Sequence, residues 1–407
     1  RSHPDAMEPA EGRLHLHLTW DGQRVCDARV ESSRPLLPCR VLEGRSAAES
    51  LALVPRLFSV CARAQTVAAI GALQAAQGGV VDPAHGRERE LLLAAECAHE
   101  HLWRLLLDLP PLLGQPAQAS AFIALRHAYE AATRGPLART ARADPLPPAG
   151  FQGWSAFIEA LSDLLAQSVL GMPPSQFFEM HDTRRWDDWR HDSSSLAARW
   201  LQAVEAAGAA VEPAAGSACP RLAWPDPLTL QGEIAEHLLA EPLWSRQPTL
   251  QGRACEPGAL ARQQAHPLLC ALHLREGPDR AASPLVRLQA RLIELAQLVG
   301  RMRALCEGDD VMSWTVSRPL PGPAGVAAVE TARGTLVHRL WLDLPGTGVR
   351  QWRTVAPTEW AFHPAGPWAT GLIGARAPDQ NALHRHAQLL AHALDPCVPY
   401  EITVHHA

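Results

Sequence analysis

Ala- and Leu-rich segments with apolar side chains at helical spacing, separated by proline-rich breaks, make up most of this chain of 407 residues. Apolar residues that recur every three to four positions form one buried face of a helix. Ser283 followed by Pro284 is a typical helix start, because the serine caps the first turn and proline suits its first position. The pattern predicts a mostly helical protein, with helical segments at 47–77, 87–107, 119–134, 153–170, 194–207, 284–305 and 379–393.

A minority of the chain predicts strands. Residues 14–20 (LHLHLTW) and 25–32 (VCDARVES) alternate apolar with polar side chains, and Asp21-Gly22 between them favours a tight turn. We therefore expect a β-hairpin near the N-terminus. Residues 309–344 also indicate strands and turns, and a short extended end follows the last helix.

Composition excludes several functions. Hydrophobic residues make up 47% of the chain and charged residues 19%, which is typical of a globular protein with a large core. A formal net charge of −5 leaves no basic surplus for nucleic acid, and no apolar run is long enough for a membrane span. The nine cysteines form no CxxC pair and no secretory leader is visible. We therefore expect a cytoplasmic protein with reduced thiols, and residues 1–6 are interpreted as an expression scar.

Two cysteines in unusual contexts are the candidate reactive groups. Cys61 ends the segment RLFSVC and precedes an Ala-rich helix, so the helix dipole is expected to lower its pKa and favour a metal-binding or nucleophilic thiolate. Cys397 follows Asp395-Pro396 near the other end of the chain. For either cysteine alone, burial as a small apolar side chain is the common alternative.

Four ordered segments resemble the large subunit of [NiFe] hydrogenases. Residues 56–61 match the first cysteine motif of that family, 330–338 (ETARGTLVH) and 355–360 (VAPTEW) its two middle motifs, and 395–397 its last. The resemblance spans the whole chain and is weakest in the centre. It implies an α+β, mostly α fold: a [NiFe]-hydrogenase large-subunit-like helical bundle with an N-terminal β-hairpin and a mixed C-terminal lobe. One domain, 1–407, would bring both chain ends to one buried site.

The chain departs from that family at two of four cysteine ligands. Phe58 and Tyr400 occupy the positions of the missing cysteines, and Gln65 replaces a histidine. The family holds nickel with four sulfur atoms, and the remaining pair, Cys61 and Cys397, cannot reproduce that shell. The resemblance therefore implies no nickel and no hydrogen turnover, so we do not expect an enzyme.

The iron half of the family's site is matched better. There, iron carries two cyanides and one carbon monoxide, and buried cyanide nitrogens need hydrogen-bond donors. Arg333 and Thr358 occupy the positions of the family's donors. Ala332 replaces the usual proline, and Pro357 with the nearby backbone would seat the diatomic ligands. The alternatives are an ordinary ion pair for Arg333 and a helix N-cap for Thr358.

These departures are similar to those of the hydrogenase-formation proteins of the HupK/HoxV type. The resemblance implies a non-catalytic scaffold that carries Fe(CN)2CO transiently, with Cys61 and Cys397 as iron ligands. Cys397 matches a nickel-only ligand, so its thiolate must move to reach iron. The implied partners are a HypC-type maturation chaperone, its iron-loading partner and the apo hydrogenase large subunit. The alternatives are a divergent catalytic large subunit that oxidises H2 and a metal-free interaction protein of hydrogenase maturation.

Further positions carry weaker expectations. Glu11 in EGR overlaps the family's EGH, whose glutamate relays protons, although a solvated residue before a strand is the alternative. His338 would support the ligands from behind, and His386 is expected at the surface. The Trp-rich segment 172–248 (with WDDWRHD) is interpreted as a variable, partner-facing segment, since exposed Trp and Arg are common anchors. A locally packed insertion is the alternative.

Overall fold

A computed structural model describes residues 12–34, 37–140, 150–213, 219–241, 243–277, 283–343 and 348–407. The first residues, including Glu11 and the expected expression scar, lie outside the described part. The α-helices are α1 (Leu37–Leu42), α2 (Ala47–Leu57), α3 (Ala62–Ala76), α4 (Pro83–Trp103), α5 (Leu109–Leu112), α6 (Ala119–Thr140), α7 (Trp154–Leu164), α8 (Pro174–Phe178), α9 (Thr183–Asp192), α10 (Leu196–Gly208), α11 (Pro227–Thr229), α12 (Ala235–Ala240), α13 (Ala259–Gln263), α14 (Pro267–Glu276), α15 (Pro284–Glu307), α16 (Pro357–Ala361), α17 (Pro367–Leu372) and α18 (Gln380–Leu394).

Shorter helical turns extend or join several of these helices. Two are 3₁₀ turns, at Ser59–Cys61 and Trp244–Arg246, and three are π-helical turns, at Arg104–Asp108, Leu165–Val169 and Leu230–Ile234. The predicted helix over 47–77 is thus two helices, since α2 ends at Leu57 and the chain bends by 97° before α3. Pro55 in the last turn of α2 weakens the helix just before this bend.

Within the described ranges, two sheets accompany the helices. The first has the order β2-β1-β7 and consists of β1 (Leu14–Trp20), β2 (Val25–Ser32) and β7 (Tyr400–His406). The predicted hairpin β1–β2 is confirmed, and β7 pairs with β1 in parallel, with Leu14 opposite Tyr400. The second is an antiparallel meander of β3 (Thr315–Leu320), β4 (Ala324–Thr331), β5 (Gly334–Leu342) and β6 (Val349–Val355).

The main core lies between the long helices α4 and α15 and their helical neighbours. Both helices are buried along most of their length and carry charged side chains inward, among them Glu100 and Glu294. Strand β4 is buried at every position because α3 packs against the meander. The α+β, mostly helical fold with an N-terminal hairpin and a mixed C-terminal lobe is therefore confirmed.

Two expectations about surface residues are wrong. Trp186 and Trp189 of the WDDWRHD segment are buried and pack on Phe177, with ring centroids 6.0 and 5.0 Å from it, so these tryptophans are core rather than exposed anchors. The locally packed alternative describes this part of 172–248. His386 is also buried, with 6% of its surface exposed, because α18 turns it inward.

No single helix in the described ranges has both the length and the hydropathy to cross a membrane. The bent pair Ala47–Leu57 and Ser59–Ala76 reaches those values only jointly.

Candidate functional site

One pocket brings together residues from both ends of the chain. It is lined by Cys61, Arg333, Pro357, Thr358 and Cys397 among others, and encloses about 90 Å³. These predicted residues come from the start of α3, the β4–β5 turn, the start of α16 and the segment between α18 and β7. The pocket is therefore where the helical bundle, the meander and the C-terminal segment meet.

Cys61 is a half-buried thiol at the start of α3. Burial raises its pKa to about 12, and the nearby Glu96 carboxyl adds to this rise. The prediction that the helix dipole lowers the pKa of Cys61 is therefore wrong. The Glu96 carboxylate accepts the backbone N–H groups of Arg63 (2.9 Å) and Ala64 (2.8 Å) in the first turn of α3, so its negative charge offsets the positive end of the helix dipole. Metal binding at Cys61 would thus require the thiol proton to leave.

A chain of hydrogen bonds supports Cys61 from the core. The Trp352 indole N–H donates to Nδ1 of His338 (3.1 Å), so the opposite ring nitrogen carries the proton and donates to Oε1 of Gln65 (2.7 Å). The Gln65 amide then donates to the Cys61 sulfur (3.5 Å). Burial lowers the pKa of His338 to about 3, which keeps the ring neutral. His338 thus lies behind the pocket and orients Gln65 towards the sulfur.

Cys397 is held by Thr358. The threonine hydroxyl donates to the Cys397 sulfur (3.1 Å) and accepts the backbone N–H of the same cysteine (3.2 Å). Ala356 is the N-cap of α16, and Pro357 occupies its first turn. The N-cap alternative for Thr358 is therefore wrong, and its side chain contacts the cysteine sulfur.

Arg333 lies in the two-residue turn between β4 and β5, with 5% of its surface exposed. It donates to Glu100 (3.0 Å) and to the backbone carbonyl of Asp395 (3.1 Å). Burial alone would lower the pKa of Arg333, but Asp395 and Glu100 raise it above its ordinary value. The ion pair considered as an alternative is present, and the guanidinium also lines the pocket.

Asp395 is shared by three arginines. Its carboxylate lies 2.6 Å from Arg104, 3.2 Å from Arg333 and 4.0 Å from Arg291. These cations hold its pKa well below the usual range despite complete burial. Asp395 caps α18 in the left-handed conformation, with φ of 57°, so the same residue ends the helix and redirects the chain towards Cys397. The sequence showed Asp395 only as part of the DPC motif.

Arg34 is the pocket residue that the sequence analysis missed. It lies in the coil after β2 and donates to Glu359 at 2.6 Å, with side chains 20% and 13% exposed. Although burial lowers its pKa, the neighbouring Cys397 and Glu359 raise it above the ordinary value. No local motif marks Arg34, since its role depends on a partner far away in the sequence.

Other candidate residues lie elsewhere. Ala332 is in the β4–β5 turn but packs into the helical core. A second group of side chains that could bind a metal lies between α4 and α15 and consists of Cys97, His101 and Glu294. Their ligand atoms lie within 4.8 Å of one another. Both oxygens of Glu294 accept from Arg262, at 2.6 and 2.7 Å, so this carboxylate already has a cationic partner.

Comparison with known proteins finds no matching family model, but curated relatives match nearly the whole chain. The hydrogenase expression/formation protein HupK of Rhizobium leguminosarum bv. viciae is 32% identical, and the match covers 97% of each chain. HupV of Azotobacter chroococcum is 29% identical, over 97% of this chain and 99% of the relative. HoxV of Cupriavidus necator is 30% identical over 92% of each.

Solved structures share the fold. The Ni-Fe-Se hydrogenase of Desulfovibrio vulgaris Hildenborough matches 93% of this chain and 94% of its own, with a TM-score of 0.58 and 14% identity. An NAD+-reducing [NiFe]-hydrogenase matches the same shares with a TM-score of 0.53 and 16% identity. The predicted large-subunit-like architecture is therefore confirmed, while identities this low concern the fold alone.

Proposed function

The chain belongs to the family of hydrogenase expression/formation proteins, and from this premise we propose that its pocket carries the Fe(CN)2CO unit of a [NiFe] hydrogenase to the catalytic large subunit. The protein would act as a scaffold and not as an enzyme. The observation that carries the proposal is the meeting of Cys61 and Cys397, from opposite ends of the chain, in one pocket with Arg333 and Thr358.

The donor set suits this cargo. Thiolates are good ligands for iron, and cyanide nitrogens accept hydrogen bonds from guanidinium and hydroxyl groups. The Arg333 guanidinium donates two hydrogen bonds, to Glu100 and to the carbonyl of Asp395. These bonds fix the direction of its remaining N–H groups. Thr358 touches the Cys397 sulfur, so its hydroxyl would turn from that sulfur to a cyanide once iron binds.

Two sulfur atoms fit a carrier better than a resident metal site. Phe58 fills the position of a third family cysteine and lines the pocket with its ring. Tyr400 replaces the fourth and pairs with Leu14 in the first sheet. Fewer thiolate ligands hold iron less tightly, which favours release to an acceptor, and nickel would lack its sulfur shell.

Arg34 adds a second cation to the proposed site. A bare Fe(II) dicyanide is neutral, so two thiolate ligands leave a doubly negative complex in a poorly solvated pocket. Arg333 and Arg34 line the same pocket and would offset part of that charge, since each also faces carboxylates of the protein. Delivery would come from a HypC-type chaperone and its iron-loading partner, and the apo large subunit would be the acceptor.

Infrared spectroscopy after anaerobic co-expression with the maturation machinery tests the proposal. We expect cyanide and carbonyl stretches on the isolated protein, with iron but no nickel by elemental analysis. Cys61→Ser and Cys397→Ser should each remove the bands. Cys306→Ser is the matched control, since Cys306 is a half-buried cysteine outside the pocket, and should keep them.

Other outcomes would favour the alternatives. Nickel together with hydrogen uptake would favour a divergent catalytic large subunit. A well-folded wild-type protein that lacks infrared bands under these conditions would favour a metal-free interaction protein of hydrogenase maturation. Full iron loading of Cys61→Ser would remove the ligand assignment.

A further inference from the structure

Arg89, on the inner side of α4, is a buried cation without a carboxylate partner among the described residues. Its side chain is 5% exposed, and one terminal nitrogen donates to Oε1 of Gln74 at 2.8 Å. The other terminal nitrogen, Nη2, is buried and has no hydrogen-bond partner. Glu88 is next to it in sequence but is bonded to Arg139 and to the N–H of Gly150. A buried guanidinium left in this state is costly unless an anion joins it.

Arg89 lines a cavity of about 490 Å³. This cavity shares no lining residue with the pocket that contains Cys61 and Cys397. The cavity lies between the C-terminal end of α3, the loop that leads to α4 and the edge strand β3. Arg318 contributes a second guanidinium, and Val67 and Val329 contribute aliphatic surface. This volume is typical of a small-molecule site.

The acidic residue in the lining of the cavity makes no hydrogen bond to Arg89. Asp82 lines the cavity, but its Oδ1 accepts the backbone N–H groups of Ala84 and His85 as the N-cap of α4. Burial lowers the pKa of Arg89 to about 10, although the charge of the neighbouring Glu88 acts in the opposite direction. The chain as a whole carries a formal net charge of −5, whereas this cavity has two arginines in its lining.

We propose that this cavity binds a small carboxylate, with Arg89 as its anchoring cation and the aliphatic wall covering the ligand's hydrocarbon part. A carboxylate matches the planar fork of a guanidinium, and it would pair with Nη2 once the Arg89 side chain turns this buried nitrogen towards the cavity. Ser317 and Arg318 in the lining could also donate to phosphate, but phosphate has no hydrocarbon part to cover Val67 and Val329. The carboxylate could belong to a free organic acid or to an acidic side chain of a partner protein, and the chemistry at Arg89 is the same.

Isothermal titration calorimetry on the full chain tests the site. The probes are propionate, inorganic phosphate and the blocked tripeptide N-acetyl-Ala-Glu-Ala-amide, at constant ionic strength set with chloride. We expect saturable binding of a carboxylate probe. Arg89→Met should weaken it at least about tenfold, a loss of at least about 1.4 kcal/mol. Preference for the tripeptide would identify a protein side chain as the source, and preference for propionate a free acid.

Two variants keep the test decisive. Arg87→Met is the matched control, because Arg87 is on the same helix, stacks on Phe151 and does not line the cavity; it should bind like the wild type. If Arg89→Met does not fold by circular dichroism, Arg89→Lys keeps the charge but loses the fork and should also weaken binding. Absence of saturable carboxylate binding, phosphate binding alone, or unchanged binding by a folded Arg89 variant would overturn the proposal.

Discussion

The pocket that contains Cys61 and Cys397, here called the thiol pocket, has two cationic walls with different structures. The inner wall consists of Arg333 with Asp395 and Glu100, all nearly inaccessible to solvent. The outer wall consists of Arg34 and Glu359, a single ion pair with side chains 20% and 13% exposed. Both walls place a guanidinium in the same pocket as Cys61 and Cys397.

The difference shows how one pocket combines a rigid side with an adjustable side. On the inner wall each charge has several partners, so removal of one leaves uncompensated buried charge. On the outer wall one ion pair holds the Arg34 side chain, and Arg246 remains near Glu359 when Arg34 is lost. Variants of the inner wall should therefore affect mainly folding, and variants of the outer wall mainly loading.

The largest effect is expected from Asp395→Leu. This change leaves Arg104, Arg291 and Arg333 without their shared carboxylate. We expect the free energy of unfolding, measured with urea, to fall by about 3–5 kcal/mol. Asp108→Ala is the control, because Asp108 also pairs with Arg104 but is one-third exposed, and its loss should stay below about 1 kcal/mol. Equal losses in the two variants would contradict the special status of the inner wall.

Gly334→Ala tests the turn that presents Arg333. Gly334 has φ of +120°, and an added Cβ would lie 2.4 Å from the Cβ of Pro257 and 2.6 Å from the backbone N of Gly258. We expect a loss of about 2–3 kcal/mol in the same urea experiment. Gly322→Ala, at φ of +76° with its nearest neighbour 3.5 Å away, should lose only about 1 kcal/mol. A larger loss for Gly322→Ala would show that contact with Pro257 and Gly258 does not constrain the turn.

Two buried histidines lie in α18, the helix that Asp395 caps. They predict that the folded protein loses stability in acid. Burial lowers the pKa of His386 to about 4 and that of His392 to about 3, from 6.5. Between pH 6.5 and 4 these two histidines bind protons in the unfolded chain but not in the folded chain, so their contribution to stability falls as pH falls. The slope is up to about 1.4 kcal/mol per pH unit for each histidine, and the contribution is fully present above pH 6.5.

Urea unfolding at a series of pH values measures this slope. The double variant His386→Asn/His392→Asn should flatten it, while His384→Asn, on the more exposed side of α18, should leave it unchanged. Equal slopes for the wild type and the double variant between pH 6.5 and pH 4 would show that these histidines are protonated alike in both states.

The smallest effect on stability is expected on the outer wall. Arg34→Met should lower the free energy of unfolding by about 1–2 kcal/mol, less than Asp395→Leu, because Arg246 remains as a second cation near Glu359. The same variant should lose most of the infrared bands of the loaded protein, since one of the two balancing cations is gone. Arg303→Met, which removes an exposed arginine paired with Glu159 outside the pocket, is the control. If the wild type shows the infrared bands and Arg34→Met shows them at full intensity, Arg333 is the cation that offsets the charge of the bound complex.

The sequence predicted the elements that have local signals. The hairpin followed from alternation around Asp21-Gly22, the start of α15 from Ser283-Pro284, and the candidate pocket residues from four short motifs. The remaining features depend on tertiary partners. The raised pKa of Cys61 follows from burial beside Glu96, and the burial of Trp186 follows from the packing of α9 on Phe177. Neither neighbour is adjacent in sequence, so no periodicity or motif could show it.

The parallel pairing of β1 with β7 has a temporal consequence. Leu14 leaves the ribosome long before its partner Tyr400 and the nearby Cys397, which emerge only after the helices α1 to α18 have been synthesised. The first sheet and the two-sulfur pocket are therefore completed together, as a late step of biosynthesis. A nascent chain that stalls before residue 397 presents Cys61 without its counterpart, which confines any two-thiol capture to polypeptides whose translation has passed that point.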